Sequence, residues 1–241
     1  MLLPFSCKEY DNSDEYDLSL TELSSYDTPA GRSKRNKRSF SINTKKWDNG
    51  RTLTIAFISS PTDELRQAII RVASQWLPHI NLTFDFVEGL EGDIRIETNT
   101  SGNSSSWLGN HALSIASPAP TMKIGVNHNH PYFESTVLHE FGHALSAAHE
   151  HLHPDANIPW DKPKVYAAYR NIGWTDAETD KMVLNQRPPS TITQTPYDPK
   201  SIMHYPVDNE LTVGDFEVVE NHKLSEQDIA LMKLIYPKPA T

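Results

Sequence analysis

One stretch constrains this chain more than any other: His139-Glu140-Phe141-Gly142-His143-Ala144-Leu145-Ser146-Ala147-Ala148-His149. Val137, Leu138, Phe141, Ala144 and Leu145 form the apolar side of a helix expected from Phe133 to Leu145. Four residues of α-helix advance about 400°, so His139 and His143 leave one face a turn apart. That spacing lets both imidazoles reach one zinc ion at about 2.0–2.1 Å. Glu140 is turned toward the side where a metal-bound water would sit. A catalytic zinc takes three protein ligands and keeps one position open, and His149 is the candidate third ligand. Six residues advance about 600°, however, so His149 cannot share that face if the helix continues. The helix must therefore stop near Ser146, and the chain must turn sharply to bring His149 back. His151 and His153 are nearby substitutes for it. The bland alternative for the pair alone is an amphipathic helix whose histidines are ordinary core or surface residues.

The chain around this stretch reads as strands and helices first, then irregular chain. Leu53 to Phe57, Leu82 to Val87, Asp93 to Thr98 and Thr121 to Val126 have strand character. Leu65, Ala68, Ile69, Val72 and Trp76 recur at helical spacing, with Ser60 as the expected cap, Pro61 at the first helical position, and Pro78 as the stop. A polar loop runs to Gly109. Beyond Pro154 the pattern loosens, with short helices expected at Lys162 to Tyr169 and Asp176 to Asn185. Ser225 caps a last helix, with Asp228 three residues on and Pro237 as its stop. The expectation is an α+β fold with two lobes, about 39–149 and 150–241. A strand at Lys123 to Val126 would form the sheet edge against which an extended peptide pairs.

Residues 8–38 differ from the rest. An acidic, Ser- and Tyr-rich run is followed by Arg32, Lys34, Arg35, Lys37 and Arg38. We read residues 1–38 as a flexible leader or pro-segment and 39–241 as the folded domain. The basic run reads as a solvated linker, a processing site at Arg35-Asn36-Lys37-Arg38, or a nuclear address. The Met1 to Cys7 stretch is too short for a secretory signal, so secretion or delivery by a non-classical route is expected, with a cytoplasmic location, or a first segment that precedes this sequence, as the alternatives.

Composition narrows the function classes. The chain has 241 residues and a single cysteine, Cys7, which excludes an intramolecular disulfide and a zinc site with several thiolates. A net charge of −9 argues against nucleic acid as a partner. No apolar run approaches the roughly 18–20 residues that span a bilayer.

The histidine stretch, continued by Glu150, and the later Ser201-Ile202-Met203-His204-Tyr205 together resemble the metzincin zinc endopeptidases, and among them the astacin family, closest to its disulfide-free bacterial and fungal members. Trp47-Asp48-Asn49-Gly50, Trp107-Leu108-Gly109 and Leu224-Ser225 with Asp228 stand in the family's order, so the resemblance covers roughly residues 40–237. It implies a two-lobed α+β domain. A twisted mixed sheet and two long helices would form the N-terminal lobe. A Met-turn at Met203 and a terminal helix would mark a loop-rich C-terminal lobe. It implies one Zn2+ per chain on His139, His143 and His149, Glu140 as general base, Tyr205 as a switchable zinc ligand and oxyanion stabiliser, and a polypeptide substrate. Glu150 would anchor the N-terminus freed by cleavage after Arg38. Ser146 departs from the family pattern, which has glycine there. Cys7 or Asp27 is a candidate for masking the zinc. A catalytically silent zinc-binding protein on the same fold is the competing reading.

Overall fold

The computed structural model describes residues 40–98 and 102–239; the leader, with Cys7, Asp27 and the basic run, lies outside them. Strand β1 (Phe40–Ile42) comes first. β2 (Thr52–Phe57) leads into helix α1 (Asp63–Ala73), followed by β3 (Thr83–Val87) and β4 (Ile94–Thr98). β5 (Ser105–Ser106) and β6 (Met122–Ile124) precede α2 (Phe133–Ala144). The later chain holds α3 (Lys162–Arg170), α4 (Asp176–Thr179) with a π-helical turn Asp180–Leu184 running on from it, β7 (Ile192–Gln194) and α5 (Glu226–Ile235). No helix among the described residues is long and apolar enough to cross a membrane.

The main sheet has the order β3-β2-β4-β6-β5. Its first four strands are parallel and β5 runs antiparallel to β6. Parallel strands covered by helices read as apolar runs, and β2 buries Leu53, Ile55, Ala56 and Phe57. One core joins this sheet to α1 and α2 through Ile69, Val72, Trp76, Val137 and Phe141. Ile202, Met203, Leu231, Met232 and Tyr236 enter the same core, so the turn at Met203 and helix α5 pack against the main sheet and its helices. A second sheet pairs β1 with β7, Phe40 opposite Gln194 and Ile42 opposite Ile192. The architecture is α+β with a mixed sheet, as expected.

Several boundaries differ from the sequence expectation. Thr62, not Ser60, caps α1, its hydroxyl accepting from the Leu65 N–H. Ser60 has φ +49, whereas an N-cap residue is extended. The α-helix ends at Ala73 and tightens into a 3₁₀ turn over Ser74–His79. In that turn Pro78 avoids the clash its ring would make with the Ser74 carbonyl in an α-helix. The β6 strand is not the sheet edge, because β5 pairs with its outer side. β5 is two serines in a polar loop, a composition without strand character. β1 and β7, three residues each, are likewise too short to carry a period.

Candidate metal centre and active site

Helix α2 carries the first two histidines and is fixed by its neighbours. Trp76 donates its indole N–H to the Leu138 carbonyl at 3.2 Å, and Trp47 donates to the Ala144 carbonyl at 2.7 Å. The second bond satisfies one of the last carbonyls of the helix. Tyr236 accepts from the Trp47 backbone N–H and donates to the Leu145 carbonyl, tying both ends of the domain to the same helix end.

The helix stops where the histidine spacing requires. Ser146 N–H donates to the His143 carbonyl at 2.7 Å and Ala147 N–H to the Gly142 carbonyl at 2.9 Å. Ser146 itself takes φ +76. That conformation costs a non-glycine residue about 1–2 kcal/mol. Its buried hydroxyl donates to the Ile42 carbonyl at 3.2 Å and meets the Ser41 hydroxyl at 2.9 Å. Buried hydrogen bonds of this kind contribute about 0.5–1.5 kcal/mol each, enough to offset the strain. The chain then runs antiparallel to β1, with Ser41 opposite Ala147 and the Ala148 N–H donating to the Phe40 carbonyl.

This turn delivers His149 to the other two histidines. One ligand nitrogen from each of His139, His143 and His149 lies within 4.8 Å of the others, and Nε2 of His143 and Nε2 of His149 approach to 3.0 Å. Nδ1 of His139 donates to the Ile202 carbonyl at 2.8 Å, and Nδ1 of His143 donates to the Ala147 carbonyl at 2.9 Å. A carbonyl can only accept, so each Nδ1 carries the proton and each Nε2 presents a lone pair. Burial, reinforced by the neighbouring imidazoles, holds His139 down to about 3 and His149 well below the ordinary histidine range. The His139 and His149 rings are therefore neutral, the form that ligates a metal. Nε2 of His139 is buried and has no hydrogen-bond partner among the described residues. Such a nitrogen costs free energy unless something else takes its lone pair. Three converging imidazoles with no thiolate fit a catalytic zinc.

The substitutes for the third ligand are turned to other tasks. Nε2 of His151 donates to the Met182 carbonyl, and Nδ1 of His153 accepts from the Asp155 N–H. The Tyr205 ring lies 5.7 Å from that of His139 and 4.2 Å from that of His149, centroid to centroid. The three histidines and Tyr205 singled out in the sequence thus converge on one place, and Glu140 is buried on the same helix, next to His139. Glu150 accepts the Asp198 N–H at 2.7 Å.

The supporting residues were less visible in the sequence. Asp228 accepts from the Ser201 hydroxyl at 2.6 Å, and from the Ile202 and Ser225 N–H groups at 2.9 Å each. It thereby holds the turn whose Ile202 carbonyl orients His139; in the sequence it signals a helix cap and a place in the family's order, not this contact. Tyr197 and His204 are bonded at 2.9 Å, and Nδ1 of His204 donates to the Tyr205 carbonyl. Ser41 carried no signal at all.

The profile of the peptidase family described as Astacin matches residues 39–236. The chain belongs to the astacin family of zinc metallopeptidases. Zinc metalloproteinase nas-38 of Caenorhabditis elegans is 28% identical over 214 residues, which cover 80% of this chain and 25% of that protein. The chain thus spans about a quarter of that relative's length. Among solved structures, myroilysin aligns with a TM-score of 0.78 at 36% identity over 83% of this astacin-family chain and all of myroilysin. The zinc-protease hatching enzyme high choriolytic enzyme 1 of Oryzias latipes shares the fold, with a TM-score of 0.54 at 17% identity over 80% of this chain and 94% of its own.

Proposed function

We propose that this chain is a zinc-dependent endopeptidase that hydrolyses peptide bonds in polypeptides. The carrying observation is the convergence of three histidines, two of them with Nδ1–H held by a carbonyl so that Nε2 is the nitrogen turned to the centre. His139, His143 and His149 would hold one zinc ion per chain. When bound, zinc lowers the pKa of a coordinated water toward 7 and polarises a carbonyl oxygen. Glu140 takes the proton of the attacking water and passes it to the leaving amine nitrogen. Tyr205 donates its phenolic hydrogen to the developing oxyanion, help that acts where charge appears. His204 fixes the Tyr205 backbone from which that phenol extends. The family match begins one residue past Arg38, which supports residues 1–38 as a separable leader.

The test combines cleavage of casein and quenched peptides with elemental analysis of the purified chain. We expect one zinc per chain and cleavage stopped by a chelator. Glu140→Ala should keep its zinc and lose activity by about 10²–10⁴-fold. Zinc bound without cleavage of several unstructured substrates, both by the full chain and by a chain beginning at residue 39, would favour the silent binding protein. A chain that binds no zinc would overturn the reading.

A further inference from the structure

We infer that Ser41, on the first strand of the domain, is a positioning residue for the third zinc ligand, acting through the hydroxyl of Ser146. This rests on the zinc-site reading above. Ser146 is the residue at which the chain leaves α2 and turns toward His149, and it does so at φ +76 without being glycine. Left-handed backbone at a residue with a Cβ persists where the surroundings over-determine it. Here the surroundings are β1. The Ser146 hydroxyl donates to the Ile42 carbonyl, which leaves its lone pairs to accept from the Ser41 hydroxyl at 2.9 Å. The Ile42 N–H donates back to the Ser146 carbonyl at 3.4 Å. Both serines are fully buried, so water cannot substitute for either hydroxyl.

Gly109 faces the same pocket. A Cβ there would stand 3.0 Å from the Ser146 Cβ, so the absence of a side chain at 109 leaves the serine its place. The grip on the turn is therefore the set of hydrogen bonds from β1. Downstream of that turn, Ala147 supplies the carbonyl that orients His143, and His149 follows two residues later. Loosening Ser146 therefore moves the His143 acceptor and the His149 ligand together. Through this contact β1, which follows the leader directly, takes part in forming the metal site.

The test is a double-mutant cycle in the full chain, read as zinc affinity by competition with a chromophoric chelator. Ser41→Ala should weaken zinc binding by about tenfold, the low end of the range for removing an outer partner of a metal site. Ser146→Gly removes both the strain and the need for the clamp, so in that background Ser41→Ala should change affinity less than about twofold. Thr54→Ala, which removes a hydroxyl hydrogen bond in the sheet, serves as the control: it should lower the melting temperature of the metal-free protein and leave zinc affinity unchanged. Unchanged affinity in Ser41→Ala, or a loss that persists in full with Ser146→Gly, overturns the inference while leaving the zinc site intact. A wild-type chain without zinc affinity would instead remove the reading on which it rests.

Discussion

Met203 fills the space in front of Gly142: a Cβ built on the glycine would stand 3.2 Å from the Met203 Cε and closer still to its Sδ. The glycine sits one residue before His143 in the helix, and the methionine one residue after Ile202, whose carbonyl orients His139. Close approach of helix and turn at this point thus aligns two of the three candidate ligands. Gly142→Ala would gain about 1 kcal/mol of helix propensity. Overpacking should outweigh it, with a net loss of about 1–2 kcal/mol in denaturant unfolding and weaker zinc binding. Adding Met203→Ala should recover part of the affinity, because it removes the atoms that clash.

Tyr205→Phe separates the phenol from the ring. The ring contacts with His139 and His149 remain, so zinc content and KM should change little. Loss of one oxyanion donor should lower kcat by about 10²-fold. Steady-state kinetics on a quenched peptide gives the split between kcat and KM. An equal fall in zinc content would instead assign Tyr205 to holding the metal.

Asp228 sets a pH dependence. Burial pushes its carboxyl up to about 6 from an ordinary 3.8, against the opposing effect of the hydrogen bonds from Ser201, Ile202 and Ser225. The folded state therefore holds the proton more tightly than the unfolded state. The stability associated with this group is fully present below about 3.8 and is lost as pH rises through about 6. Asp228→Asn has no such proton. The unfolding free energy of the wild type relative to this variant should fall between about pH 4 and 6 by at most about 1.4 kcal/mol per pH unit, then level off. Urea unfolding of both proteins across that range measures the difference directly.

Trp47→Phe removes the donor that meets the Ala144 carbonyl at the end of α2. Leaving that buried carbonyl unmatched should cost about 1–3 kcal/mol, visible as a lower urea midpoint with unchanged slope. A changed slope would mean that the native packing had loosened as well.

The parts of the molecule with a period or a motif were legible in the sequence. The helix over Phe133–Ala144, its stop at Ser146 and the capping of α5 by Ser225 follow from side-chain spacing and cap chemistry. His139, His143 and His149 follow from the helical angle and the coordination that zinc requires. What the sequence hid has a common physical cause. The acceptors that orient His139 and His143 are backbone carbonyls, which every residue possesses. β1, β5 and β7 owe their existence to neighbouring strands rather than to their own two or three residues. Ser41 matters only because a distant residue sits in left-handed backbone, and no local pattern announces that.

The bond from His139 to the Ile202 carbonyl joins residues 63 positions apart, and Asp228, which braces that turn, lies 26 positions later still. A ribosome making this chain releases the histidine motif long before the carbonyl that aims it, at roughly 5–20 residues per second. For several seconds the nascent chain carries the candidate ligand side chains without a formed centre. The order of translation thus delays the appearance of a working hydrolytic site until the last helix is present, and a prematurely terminated product would lack that site.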